Sequence, residues 1–290
     1  MAWYGGITVT KFTCSAKFNY TDGSPYGNNV AELLSTLTGP STGVVDNWWF
    51  RTATVGDAPN QASGLAMCFA DTPDSDPSYC HNCLTYFMTS RHLLEACDHS
   101  RTFTAVSSDG CILRYADEPF LGAAAGDSSG HELVKNSLVN TSYGAASLDA
   151  RRALLGQLAE KAGGDPMRFA TGSQGFMVRG VWHVMYGMAQ CTRDLHASEC
   201  TGCLVDLLAV MYRDVSVTNS TEASVMGFSC YLRYQMDEPI NVAGMALPPS
   251  QPPPPATHPT GSASPSTGGK MTTVLIAAAA VTLLITATGV

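Results

Sequence analysis

Two copies of one cysteine pattern run along this chain, and that repeat limits the fold more than any other feature. The stretch Cys80-His81-Asn82-Cys83-Leu84 returns as Cys200-Thr201-Gly202-Cys203-Leu204. Cys111-Ile112-Leu113-Arg114-Tyr115 returns as Cys230-Tyr231-Leu232-Arg233-Tyr234, and Asp117-Glu118-Pro119 as Asp237-Glu238-Pro239. Upstream, Gly64-Leu65-Ala66-Met67-Cys68 answers Gly187-Met188-Ala189-Gln190-Cys191. The landmarks keep their order at an offset of about 120 residues, the mark of a duplicated unit. The reading places repeat one at 12–121 and repeat two at 131–241, joined by a Gly, Ala and Ser stretch.

Each copy carries the same coarse elements. Val30, Leu33, Leu34 and Leu37 recur at helical spacing, and Ala150 or Arg151 with Leu154, Leu155 and Leu158 repeat the stripe. Cys80, Cys83, Leu84 and Phe87 form a second stripe, matched by Cys200, Cys203, Leu204, Leu207 and Leu208, so each Cys-x-x-Cys pair faces inward. The segments before Cys68 and Cys191, and around Cys111 and Cys230, are rich in strand formers. Strands grouped around helices without regular βαβ alternation define an α+β fold. We expect two tandem repeats, each a small antiparallel sheet packed with two helices and stapled by disulfides. A Pro-rich stalk and a C-terminal hydrophobic helix are expected to follow.

Ten cysteines in 290 residues, an even count, point to paired thiols and an oxidising compartment. Cys68, Cys80, Cys83 and Cys111 map onto Cys191, Cys200, Cys203 and Cys230. Cys14 and Cys97 have no counterparts, although Val217 stands near the second position. A pair lost together is most simply one bridge, because losing one partner would strand a thiol. The remaining four cysteines of each copy allow three connectivities. A tetrahedral zinc set could be drawn from Cys80, Cys83, Cys97 and His99, but repeat two lacks the last two, so no metal is expected. Asn19, Asn140 and Asn219 begin N-glycosylation sequons in polar stretches, which agrees with that compartment.

The ends carry different information. Residues 271–290 hold no charged side chain, and twenty such residues reach across a hydrocarbon core as a helix. They are expected to be a transmembrane segment or a GPI signal, with Ser262, Ala263 and Ser264 as the small triplet of the latter. Residues 243–270 are rich in Pro, Ser, Thr and Gly and include the run from Pro252 to Pro255, an extended spacer. The N-terminal stretch has neither a basic region nor an apolar core of signal-peptide length, so a leader upstream of it is expected.

Cys191-x8-Cys200-x2-Cys203 followed by Cys230-Tyr231-Leu232-Arg233-Tyr234 closely resembles the plant cysteine-rich repeat, also called the salt-stress-response or antifungal domain. That domain occurs in ginkbilobin, cysteine-rich receptor-like kinases, plasmodesmata-located proteins and cysteine-rich secretory proteins. Repeat one departs slightly, with eleven residues in place of eight after its first matched cysteine. The resemblance implies the bridges Cys14–Cys97, Cys68–Cys80, Cys83–Cys111, Cys191–Cys200 and Cys203–Cys230. It also implies a mannose site built from Asn, Arg and Glu. Here the corresponding positions hold Ser15, Ala105 and Ala116 in repeat one, and Ser224 and Gln235 at the last two in repeat two. Sugar binding in that mode is therefore not expected, and the ligand-binding residues stay unassigned.

Catalysis finds little support. Gly126-Asp127-Ser128-Ser129-Gly130 matches a nucleophile elbow, but it sits in the junction between repeats and has no twin. Asp117-Glu118 and Asp237-Glu238 are adjacent in sequence, which on a strand puts them on opposite faces. Trp48 and Trp49 could stack on a sugar or pack an edge strand. A net charge of −8 argues against a nucleic-acid partner. No cofactor is expected. The reading is a non-enzymatic extracellular module, held at the plasma membrane or plasmodesmata through its C-terminal segment. Lateral protein partners or self-association are expected in stress, defence or cell-to-cell communication. The alternative is a secreted antifungal or carbohydrate-binding protein.

Overall fold

The computed structural model describes residues 9–15, 19–39, 50–71, 77–108, 110–125, 132–136, 144–214, 217 and 220–242. Trp48, Trp49, Asn140, Asn219, the stretch 126–130, the stalk 243–270 and the apolar segment 271–290 lie outside those residues. Among the described residues no helix is long and apolar enough to cross a membrane.

Repeat one contains β1 (Val9–Cys14), α1 (Pro25–Thr38), β2 (Phe50–Val55), β3 (Ala62–Cys68), α2 (Pro77–Thr89), α3 (Arg91–Ala96), β4 (Phe103–Ser107) and β5 (Cys111–Ala116). Repeat two contains β6 (Glu132–Asn136), α4 (Gly144–Gly164), β7 (Phe169–Val178), β8 (Val181–Cys191), α5 (Ala197–Arg213), β9 (Glu222–Met226) and β10 (Cys230–Met236). The sheets run β1-β4-β5-β3-β2 and β6-β9-β10-β8-β7, the same order of equivalent strands. Every pairing is antiparallel. Repeat one departs from the expected two helices: its second helix breaks at Ser90, and α3 follows as a separate turn.

Local chemistry accounts for α1. The Ser24 hydroxyl accepts from the Gly27 N–H at 3.1 Å, and Pro25 opens the first turn, where a missing N–H costs nothing. Val30, Leu33 and Leu37 are then buried against the sheet.

The strand period of two sorts side chains onto two faces. In β5, Cys111, Leu113 and Tyr115 face the helices, while Ile112 joins an apolar cluster on the opposite face. In β10, Cys230, Leu232, Tyr234 and Met236 face α4 and α5, and Tyr231 faces away. The outward-facing set does not meet water. Leu65, Met67, Val106 and Ile112 of repeat one share one buried cluster with Phe169, Met188, Met226 and Tyr231 of repeat two. The two sheets therefore pack face to face, with helices on both outer sides. This explains why β3 reads as an unbroken small or apolar run: all seven of its residues are buried.

The repeat also duplicates a close approach of helix to sheet. A Cβ on Gly64 would lie 2.8 Å from Leu37 Cδ1 and 3.1 Å from Leu33 Cδ2 of α1. A Cβ on Gly187 would lie 2.8 Å from Leu158 Cδ1 and 3.0 Å from Leu154 Cδ2 of α4. Gly187→Ala is expected to overpack this crossing and cost about 1–3 kcal/mol. Urea unfolding of the variant checks it, and a midpoint at the wild-type value would contradict the overpacking account.

Candidate functional site

All ten cysteines are joined, as Cys14–Cys97, Cys68–Cys80, Cys83–Cys111, Cys191–Cys200 and Cys203–Cys230. Within each repeat, one bridge ties the second helix to the end of β3 or β8, and the other ties it to the start of β5 or β10. Cys80, Cys83 and Cys97, which with His99 resembled a zinc set in sequence, are each taken up in a bridge. The Cys14–Cys97 bridge of repeat one has a simple replacement in repeat two. Tyr115 donates to the Ser100 carbonyl at 2.9 Å, and Tyr234 donates to the Val217 and Ser220 carbonyls at 3.1 Å. Val217 is buried, so an apolar side chain and a shared tyrosine hydroxyl hold the loop that a bridge holds in repeat one.

Ser15 and Ala116, two of the positions aligned with sugar contacts, lie in a polar groove of about 710 Å³ at one end of the first sheet. Ala105, the third, is fully buried in β4 and faces the helices, so it does not reach the groove. Three of the charged groups that do reach it, Arg101, Asp117 and Arg114, are already engaged, while Glu118 is exposed. Arg101 Nε donates to Asp117 Oδ2 at 2.6 Å, and its guanidinium lies 4.0 Å from the centre of the Tyr26 ring. The Arg114 guanidinium lies 4.0 Å from the centre of the Phe120 ring, and burial lowers its pKa. Asn19, the one described sequon asparagine, is exposed at the rim of this groove.

In repeat two the matching positions serve a different purpose. Gln235 accepts from Arg233 Nη2 at 2.9 Å, and the same nitrogen reaches Glu222 Oε1 at 2.5 Å. Arg233 Nη1 donates at 2.7 Å to Asp71 Oδ2 of repeat one, which also accepts from the Tyr231 hydroxyl at 2.9 Å. Burial raises the Tyr231 phenol well above its ordinary pKa, and the neighbouring Asp71 carboxylate adds to the effect. Close by, Gln190 Oε1 accepts from the Ala70 N–H at 2.9 Å, and the rings of Phe69 and Tyr231 lie 4.8 Å apart. These contacts form a polar seam between the two sheets. Nothing in the linear pattern of Asp71 or Gln190 marks it, because its partners lie in the other repeat.

The histidines show no catalytic arrangement among the described residues. His81 contacts the Thr38 carbonyl at 2.8 Å, and His183 contacts Asp237 at 2.9 Å. His99 sits between Asp22 and Asp98, and the Asp22 hydrogen bond raises its pKa. No thiol is free to act as a nucleophile. Among the described residues no cluster of His, Cys, Asp and Glu is placed to hold a metal.

Fold and seam together define a class: two disulfide-stapled α+β repeats fused back to back into one body. Residues 13–118 and 135–237 match the family described as salt stress response/antifungal, and the chain belongs to that family. It is 29% identical over 222 residues to cysteine-rich repeat secretory protein 38 of Arabidopsis thaliana, covering 75% of this chain and 80% of the relative. It is 28% identical over 227 residues to an antimicrobial ginkbilobin-2-like protein of Castanea crenata, covering 77% of this chain and 85% of the relative. The crystal structure of the tandem ectodomain of the Arabidopsis thaliana cysteine-rich receptor-like protein PDLP8 superposes with a TM-score of 0.56 at 23% identity. That match covers 79% of this chain and 98% of the other. It carries the tandem fold alone.

Proposed function

We propose that this chain is a non-enzymatic extracellular head that works by lateral protein contact at the plant cell surface, in signalling or defence. The observation that carries the reading is the exposed apolar tip of the β7–β8 hairpin. Met177, Val181 and Trp182 are 58%, 56% and 46% exposed there, at the outer edge of the second sheet. The Trp182 indole packs closely against Gly175 of the facing strand, where a Cβ would fall 2.1 Å from its Cζ2. An exposed aromatic at the tip of a hairpin is the kind of group that anchors protein contacts. A membrane anchor in 271–290 would raise the local concentration of such heads, so weak contacts would suffice.

The second reading, a secreted carbohydrate-binding or antifungal protein, draws on the polar groove at Ser15 and Ala116. One set of experiments separates the two. Full-length tagged protein in wall-less plant cells should be cleaved by external protease, and crosslinking should capture a protein partner. Trp182→Ser with Met177→Ser should reduce that capture without lowering the amount at the surface. A repeat region protected from external protease would overturn the extracellular assignment. Undiminished capture would overturn the role of the hairpin. Selective mannose binding on a glycan array would favour the second reading.

A further inference from the structure

Repeat one contains a cavity of about 410 Å³, open to solvent on one side, between its sheet and the helices α1, α2 and α3. Leu34, Phe87, Leu93, Phe103 and Leu113 give it an apolar body, and Tyr20 and Tyr115 add aromatic walls. Its size falls within the range of small-molecule sites, about 300–1,000 Å³.

The cavity arises where the two repeats differ. In repeat two the second helix runs unbroken over Ala197–Arg213, whereas in repeat one it breaks into α2 and α3, and the Cys14–Cys97 bridge holds the end of α3. Tyr234, the counterpart of Tyr115, lies under the Arg151 guanidinium, 4.3 Å from its ring centre. Arg151 is 1% exposed, and its buried Nε and Nη2 have no hydrogen-bond partner among the described residues. A buried cation without an anion is costly, so its main contribution there is to cover Tyr234 and fill space. Repeat one carries Val30 in the corresponding stripe of α1, a shorter side chain with no charge. The wall that α1 gives the cavity beside Tyr115 comes from Ala31 and Leu34.

The mouth has a sign. Asp98 and His99 line it, and Asp22 contacts His99 Nε2 at 2.9 Å while Asp98 contacts Nδ1. Both carboxylates are largely exposed, at 91% for Asp22 and 71% for Asp98. No lysine or arginine lines the cavity among the described residues. Even with His99 protonated, two carboxylates against one imidazolium leave a net negative rim. His99 holds a left-handed backbone, φ 53°, which a residue with a side chain adopts at a cost and which concentrates at binding sites. The Tyr20 ring meets His99 edge-on at 5.2 Å and closes that side of the mouth.

We propose that this cavity binds a small amphipathic cation, with an apolar or aromatic body seated among Leu34, Phe87 and Leu113 and one amine at the Asp98–His99–Asp22 rim. Its apolar walls supply most of the affinity by excluding water. The rim, being solvated, supplies charge preference rather than strength, roughly 1 kcal/mol for one contact in a high-dielectric setting.

The test uses the full-length, oxidised chain and three matched probes: 2-phenylethylamine, the neutral 2-phenylethanol and the anionic phenylacetate. Calorimetry and saturation-transfer NMR at millimolar probe should show the order amine, alcohol, anion. The amine should exceed the anion by at least about fivefold, the factor implied by one solvated charge contact. Ala31 is exposed on α1 and lines the mouth, so Ala31→Trp blocks entry without entering the core. It should cut amine affinity by on the order of tenfold while the thermal midpoint stays put. Asp98→Asn should leave binding of the alcohol unchanged and erase most of the preference for the amine. Equal or better binding of phenylacetate overturns the proposal. So does amine binding that survives Ala31→Trp in a folded variant, or no binding of any probe. Should Ala31→Trp fail to fold, the probe order and Asp98→Asn decide the matter alone.

Discussion

Replacing Cys83 and Cys111 together by alanine should lower the stability of the oxidised chain by at least about 3–4 kcal/mol. The closed loop spans 28 residues, and chain-entropy loss alone gives about 3.6 kcal/mol for that length. Both residues are fully buried between α2 and β5, so their sulfurs also fill core volume that alanine leaves empty. The Cys14–Cys97 bridge provides a contrast. Its loop spans 83 residues, for which the same relation gives about 4.5 kcal/mol. Cys14 is only partly buried, and repeat two keeps the same strand order without that bridge. If packing adds to entropy as the burial indicates, the Cys83–Cys111 deletion is the more damaging of the two. Urea unfolding of both double variants, with the remaining bridges verified by mass, measures the order. A larger loss from Cys14→Ala with Cys97→Ala would mean that loop entropy dominates and that burial of the sulfurs contributes little.

The sequence made the repeat visible because its signals are local. Two Cys-x-x-Cys helices, two Cys-x-Leu-Arg-Tyr strands and the leucine stripes lie within spans of a few turns or one strand. The α+β class and the antiparallel sheets follow from those pieces. What stayed hidden depends on partners far along the chain. The break of α2 at Ser90 is not a Gly or Pro signal, and repeat two offers no hint of it. Arg151 was one of two alternatives for a stripe position, and a charged residue at a fully buried site contradicts the usual expectation. The cavity beside Tyr115 is empty space, which a sequence pattern does not display. The positions that the family resemblance aligns with sugar contacts meet different fates: Ser15 and Ala116 open on a groove, Ala105 is core, and Gln235 serves the seam.

The seam between the repeats gives the second large effect. Asp71 is 6% exposed at its side chain and accepts from both Tyr231 and Arg233. Asp71→Ala would leave a 21% exposed guanidinium facing Glu222 and Gln235, and a buried phenol without its carboxylate acceptor. Removing one partner of such a buried pair costs about 3–5 kcal/mol, far more than the net worth of the pair itself. The cost should fall on the coupling between repeats, because every group involved except Asp71 belongs to repeat two. Hydrogen exchange is then expected to speed up in β8, β10 and the segment around Asp71 before it changes in α1 or α4, whose contacts lie on the outer faces. Combining Asp71→Ala with Tyr231→Phe and Arg233→Met should recover part of the loss, since the phenol and the guanidinium are then no longer left without Asp71, while Glu222 and Gln235 give up Arg233 as a donor. Uniform acceleration across both repeats, or a triple variant no more stable than Asp71→Ala, would show that the sheets are held by the apolar cluster of Leu65, Met67, Ile112, Phe169 and Met188 alone, with the polar seam setting only their register.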